Sequence, residues 1–114
     1  MKTLTMLVLA LAVSQTIAGE RIVKCQIDSN NQTVYKGQCV FIPDTGGSFA
    51  LSNPEKEKPL TDSITIVSVS IIEKGVAEVR GLTTDGINSR WGEAKRSKKD
   101  KACWVGEDFK VCAW

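Results

Sequence analysis

Residues 63–82 read Ser-Ile-Thr-Ile-Val-Ser-Val-Ser-Ile-Ile-Glu-Lys-Gly-Val-Ala-Glu-Val-Arg-Gly-Leu. Ile64, Ile66, Val67, Val69, Ile71 and Ile72 make the first half a strand rich in branched side chains. Its inward parity changes between Ile66 and Val67, which signals a bulge, a bend or burial on both faces. Glu73-Lys74-Gly75 forms a turn. The return strand sets Ala77 and Val79 on one face and Glu78 and Arg80 on the other, so one side of this hairpin is wet.

Working outward, Thr83-Thr84-Asp85-Gly86 contains the Asp-Gly pair favoured by tight hairpins, and residues 87–91 form the next strand. From Gly92 the pattern breaks into a basic surface segment, ending in Lys95-Arg96-Ser97-Lys98-Lys99-Asp100-Lys101. The chain closes with a short hairpin, Cys103-Trp104-Val105 returning as Phe109-Lys110-Val111-Cys112. Upstream, residues 21–27 form a strand ended by the turn-forming run Asp28-Ser29-Asn30-Asn31. The return runs from Gln32 through Tyr35, bends at Gly37 and stops at Pro43. Gly46-Gly47 is read as a turn before a strand with Phe49 and Leu51 inward, and residues 53–62 as an exposed loop. Asn31-Gln32-Thr33 matches a glycosylation triplet but is read as an ordinary turn. The sum is an all-β protein, a small antiparallel barrel or sandwich of about seven or eight short strands.

The chain has 114 residues, 15 Lys and Arg against 13 Asp and Glu, four Cys and no His. Lys2 followed by the apolar residues 4–13 and a small residue at Ala18 reads as a signal peptide cut after Ala18. The apolar run falls short of the roughly 20 residues a bilayer crossing needs, and no second such run follows, so no transmembrane segment is expected after processing. Residues 19–114 are then one domain, periplasmic or secreted. Without Lys2 the formal charge is +1.

Export favours reading Cys25, Cys39, Cys103 and Cys112 as two disulfides. Neighbour pairing, Cys25 with Cys39 and Cys103 with Cys112, is the favoured arrangement; its rival ties the chain ends together. Intervals of 14, 64 and 9 residues do not suit a zinc site, which draws its ligands as close pairs. No metal or cofactor is expected. Lack of His removes His-based catalytic triads, and no Ser-x-x-Lys or carboxylate-pair context replaces them, so an enzyme is not expected.

Thr84-Asp85-Gly86-Ile87, leading through Trp91, Gly92 and Ala94 to a basic stretch and Cys112, with Cys25 early, resembles the exported bacterial inhibitors of C-type lysozyme. The likeness covers the segment from Thr83 to Cys112. It implies a small β-barrel whose loop residues enter a lysozyme cleft. The family's inhibitory Ser has Thr83 or Thr84 nearest to it. Its Lys-Gly pair has no counterpart, because Gly92-Glu93 follows Trp91, and Lys95 is only a displaced substitute. A broader likeness is to small exported, cysteine-containing proteins of Gram-negative bacteria. It is carried by Tyr35-Lys36-Gly37-Gln38-Cys39, by Gly46-Gly47-Ser48-Phe49 and by the closing Cys103-Trp104 to Cys112-Ala113 unit, and it implies no activity.

The expectation is therefore an exported binding protein, with inhibition of a secreted or host lysozyme-like hydrolase as the sharpest form. The alternatives are an envelope-associated module binding an anionic glycan or lipid, and a secreted host-directed factor; nucleic acid is not an expected partner. Candidate binding residues are Thr84, Asp85, Lys95, Arg96, Lys98, Lys99, Lys101 and Trp114. Trp91 and Trp104 are read as core, while Trp114 stands between core and ligand contact.

Overall fold

The computed structural model describes residues 19–114. The leader reading, residues 1–18, lies outside the described residues. Eight strands follow in chain order: β1 (Arg21–Ser29), β2 (Gln32–Pro43), β3 (Phe49–Ser52), β4 (Ile64–Glu73), β5 (Val76–Thr83), β6 (Asn88–Arg96), β7 (Cys103–Val105) and β8 (Phe109–Ala113). Each pairs antiparallel with the next, and β1 pairs with β8, from Cys25 opposite Ala113 to Ser29 opposite Phe109. This is a closed up-and-down barrel, the closed form of the expected architecture, and closure leaves no unpaired sheet edge. Among the described residues no helix is long and apolar enough to cross a membrane.

The interior is filled by alternate side chains. Ile27, Leu51, Val67, Val69, Val79 and Val111 are fully buried. β4 does carry a bulge, but before the expected place: Thr65 is skipped between the pairs Ile64–Thr83 and Ile66–Leu82, and Ile66 and Val67 pair in regular register. Asp28 and Ser29, expected in the turn, pair with Thr33 and Gln32 and extend β1, so the turn is the two residues Asn30 and Asn31, with φ of 52° and 64°.

Two strand readings change. Thr84 to Ile87 form a four-residue loop rather than a tight hairpin, because Thr83 closes it. Its amide donates to the Ile87 carbonyl at 2.8 Å, and its hydroxyl accepts from the Ile87 amide at 2.9 Å. The strand after it does not stop near Gly92. A bulge at Trp91, between the pairs Arg80–Arg90 and Val79–Gly92, flips the inward parity, so β6 continues to Arg96 with Ala94 buried. Lys95 and Arg96 therefore belong to a strand, not to the basic loop. In the 53–62 loop residues 54–58 and Asp62 are exposed as expected, but Asn53, Pro59 and Thr61 are half-buried and Leu60 is buried in the core.

Both neighbour disulfides form. Cys25 lies opposite Gly37, and its sulfur bonds diagonally to Cys39 inside the barrel. The Tyr35 ring lies beside the bare Gly37, and its hydroxyl donates to the Gln38 carbonyl at 2.6 Å. That geometry gives the Tyr-x-Gly-x-Cys pattern a physical reason: the inward row carries a ring, a gap and a sulfur. Cys103 sits directly opposite Cys112 and staples β7 to β8. Their neighbours Trp104 and Val111 point inward, so strand alternation puts this second bond on the other side of the wall.

Candidate functional site

In an up-and-down meander the connections alternate between two ends. One end receives the β1–β2, β3–β4, β5–β6 and β7–β8 connections. It is plugged. Trp91 meets Phe109 edge to face, with ring centroids 5.7 Å apart, and Leu60 is buried from the β3–β4 loop. The plug depends on two glycines: a Cβ on Gly81 would lie 2.8 Å from Trp91 Nε1, and one on Gly106 would collide with the Phe109 ring.

The other end is open. It gathers the start of β1, the β2–β3 and β4–β5 turns, the β6–β7 loop and the end of β8 around a cavity of about 410 Å³. Phe41, Phe49, Ile71 and Trp104 supply its apolar lining, with Phe41 and Phe49 stacked at 5.0 Å between centroids. Arg21, Lys74, Arg96 and Lys101 also line it, and among its described lining residues none is acidic. The Arg21 guanidinium carbon stands 4.6 Å from the Phe41 centroid and that of Arg96 stands 5.4 Å from the Trp104 centroid. Arg96 Nε donates to the Lys101 carbonyl at 2.8 Å, which ties the β6–β7 loop to the strand. None of the ion pairs among the described residues uses these four cations. Their charge is therefore available to a ligand, and the rings beside two of them attract the guanidinium groups without neutralising them.

Gly46 and Gly47, with φ of 67° and 89°, make the β2–β3 turn at this rim. Asp44 caps that turn by accepting from the Thr45 amide at 2.7 Å, and Ser48 Oγ accepts from the Ile71 amide at 2.8 Å, tying the turn to β4. A second recess of about 310 Å³ adjoins the mouth, lined by Lys74, Gly75, Arg96, Ser97, Lys98 and Lys101.

The sequence-derived candidates separate into two groups. Arg96, Lys101 and Trp114 line the mouth, Lys98 lines the adjoining recess, and Lys99 is exposed on the same loop. Lys95 is exposed at the same end, opposite Val76, and its strand parity turns it away from the mouth. Thr84 and Asp85 lie at the plugged end. The eight residues of β5 separate them from Lys95, roughly 25 Å at the rise of a strand. The two positions that the inhibitor likeness would use together are thus not brought together. Trp91 packs against the core, Trp104 is buried and Trp114 is 47% exposed. The Trp114 indole donates to Asp100 Oδ2 at 2.9 Å.

Arg21, Lys74, Phe41 and Phe49 were missed by sequence reasoning. They come from four separate segments, and only the meander rule, which sends every second turn to one rim, could have grouped them. The small net charge also conceals a division along the axis. At the open end the cations outnumber Glu20, Asp44, Glu73 and Asp100, whereas Asp62, Asp85, Glu107 and Asp108 give the plugged end an excess of acids over Arg90 and Lys110. Asp28, at the same end, accepts from Gln26 at 3.0 Å and Thr33 at 2.9 Å and faces Lys110 at 3.6 Å. Partial burial alone would raise its carboxyl, but these hydrogen bonds and the Lys110 charge outweigh it and hold the group below its usual value.

Among the described residues no group of three or more His, Cys, Asp or Glu could hold a metal ion. Comparisons with family models, curated proteins and solved structures found no match.

Proposed function

We propose that the protein is an exported binding protein whose open mouth takes a small anionic ligand with an apolar or aromatic part. One observation carries this reading: four cations ring an aromatic-lined cavity that has no acidic residue among its described lining. The volume, about 410 Å³, falls within the range of small-ligand pockets. Core side chains fill the barrel beneath the mouth, so the open end is a cup floored by Phe41, Phe49 and Trp104 and the ligand would sit there. The anionic group would meet Arg21, Lys74, Arg96 and Lys101, while its apolar part would rest on Phe41, Phe49 and Trp104. Two disulfides in so small a chain agree with an oxidising compartment and with the leader reading. The reading replaces joint use of Thr84 and Lys95 in a hydrolase cleft, since those residues stand at different ends.

Titration with decyl phosphate, followed through tryptophan fluorescence and calorimetry, tests it. Saturable one-to-one binding is expected, with decanol and decyltrimethylammonium binding far more weakly. The double variant R96Q/K101Q is expected to lose most of the affinity while keeping the far-UV spectrum. Equal binding of the cationic and anionic amphiphiles, or no binding of either, overturns the proposal.

A further inference from the structure

The open end carries a second set of exposed side chains, most of them outside the cup lining. Lys98 and Lys99 are exposed on the β6–β7 loop, outside the cup lining. Ile72 is bulged out of β4, between the pairs Ile71–Ala77 and Glu73–Val76, and is 61% exposed. Trp114 follows the last strand and is also largely exposed. In a closed ring of eight strands, β4 and β8 lie across the barrel from each other, so Ile72 and Trp114 flank the mouth on opposite sides. A flat surface laid over the mouth would touch both. A small convex partner entering it would not.

The charge division points the same way. The open end carries Arg21, Lys74, Lys95, Arg96, Lys98, Lys99 and Lys101 against Glu20, Asp44, Glu73 and Asp100, an excess of cations. The plugged end sets Asp28, Asp62, Asp85, Glu107 and Asp108 against Arg90 and Lys110, with Glu55, Lys56, Glu57 and Lys58 cancelling. A body polarised along its axis has a preferred orientation before a negatively charged plane, basic end first, even when its net charge is close to zero. Indole and aliphatic side chains beside lysines are the combination suited to the headgroup layer of a bilayer, where an apolar body and a polar tip are both accommodated.

We propose that the open rim docks on an anionic phospholipid leaflet with the mouth facing the headgroups. Lys74, Lys98 and Lys99 would lie over lipid phosphates, and Ile72 and Trp114 would enter the interface. This goes beyond ligand binding in the cup: Lys74 and Trp114 line it too, but Lys98, Lys99 and Ile72 lie outside its lining, so docking does not require an occupied cup.

The test is sedimentation of the oxidised protein with vesicles of phosphatidylglycerol and phosphatidylcholine, against phosphatidylcholine alone. Binding is expected only to the anionic vesicles and is expected to fall steeply with salt. Brominated lipids are expected to quench fluorescence that the Trp114→Ser variant no longer shows. K98E/K99E is expected to lower partitioning on the order of tenfold or more while leaving decyl phosphate binding unchanged. Equal partitioning onto both vesicle types, an unchanged K98E/K99E, or salt-sensitive self-association in place of lipid binding overturns the docking proposal. Loss of decyl phosphate binding with vesicle binding retained would instead remove only the cup.

Discussion

The Arg96 guanidinium carbon lies 5.4 Å from the centroid of the Trp104 ring, an exposed cation held against a buried indole. Trp104 belongs to the core and Arg96 to the cup wall, so one contact joins stability to the site. R96Q is expected to lower affinity for decyl phosphate about tenfold, the effect of losing one charge-assisted contact, with little change in melting temperature. R96K should fall between, since it keeps the charge and loses the planar stack. Trp104→Ala, by contrast, is expected to cost about 3–5 kcal/mol in urea unfolding, because it empties a core position.

The aromatic plug gives a second expectation. A Cβ at Gly81 would lie 2.8 Å from Trp91 Nε1, and one at Gly106 would run into the Phe109 ring. G81A and G106A are each expected to destabilise by about 1–3 kcal/mol through overpacking, with G106A the worse. Gly86 has open space where a Cβ would go, but its φ of 88° favours glycine, so G86A should cost less than either and through the backbone alone. Urea midpoints of the three variants check the order.

Each disulfide closes a short loop, with partners 14 and 9 residues apart. Removing one is expected to cost about 3 kcal/mol. All four cysteines are buried, but C25A/C39A should cost more than C103A/C112A because it frees the longer loop and removes sulfurs packed in the core cluster, to which Cys103 and Cys112 do not belong. Unfolding of both double variants under the same oxidising conditions makes the comparison.

Asp28 provides a pH signature. Its folded carboxyl is held below the unfolded value, so the charged form binds more strongly to the native state. The resulting stability is fully present above the unfolded pKa and is lost as pH falls through the folded one. D28N should remove that acid-side loss, leaving a flatter stability profile below the ordinary carboxylate range. Its stability near neutrality should fall, because the hydrogen bonds from Gln26 and Thr33 and the Lys110 contact are weakened. Thermal melts across the acid range measure both effects.

Much of the barrel was legible because strand signals are local. Branched side chains at Ile64 to Ile72, the Asn30-Asn31 turn and the alternation at Phe49 and Leu51 each act within a few residues. The extension of β6 to Arg96 was not legible, because a single bulge at Trp91 reversed the parity and turned an apparently irregular run into a strand. Leu60 was read with its polar loop, since nothing in Pro59-Leu60-Thr61 announces that the loop folds back over the barrel end.

The site divides the same way. Lys98, Lys99 and Lys101 stand close together in the chain and were visible as a charge run, whereas Arg21, Lys74 and Phe41 meet them only across the rim. By itself the sequence determined the all-β class, most of the strands and the absence of histidine chemistry, and favoured the neighbouring cysteine pairs, because these depend on residue type and short spacing. Only the tertiary structure decided which end is open, which cations share it, and that Thr84 and Lys95 stand apart. Barrel closure sets those relationships by strand register, which acts across residues far apart in the chain.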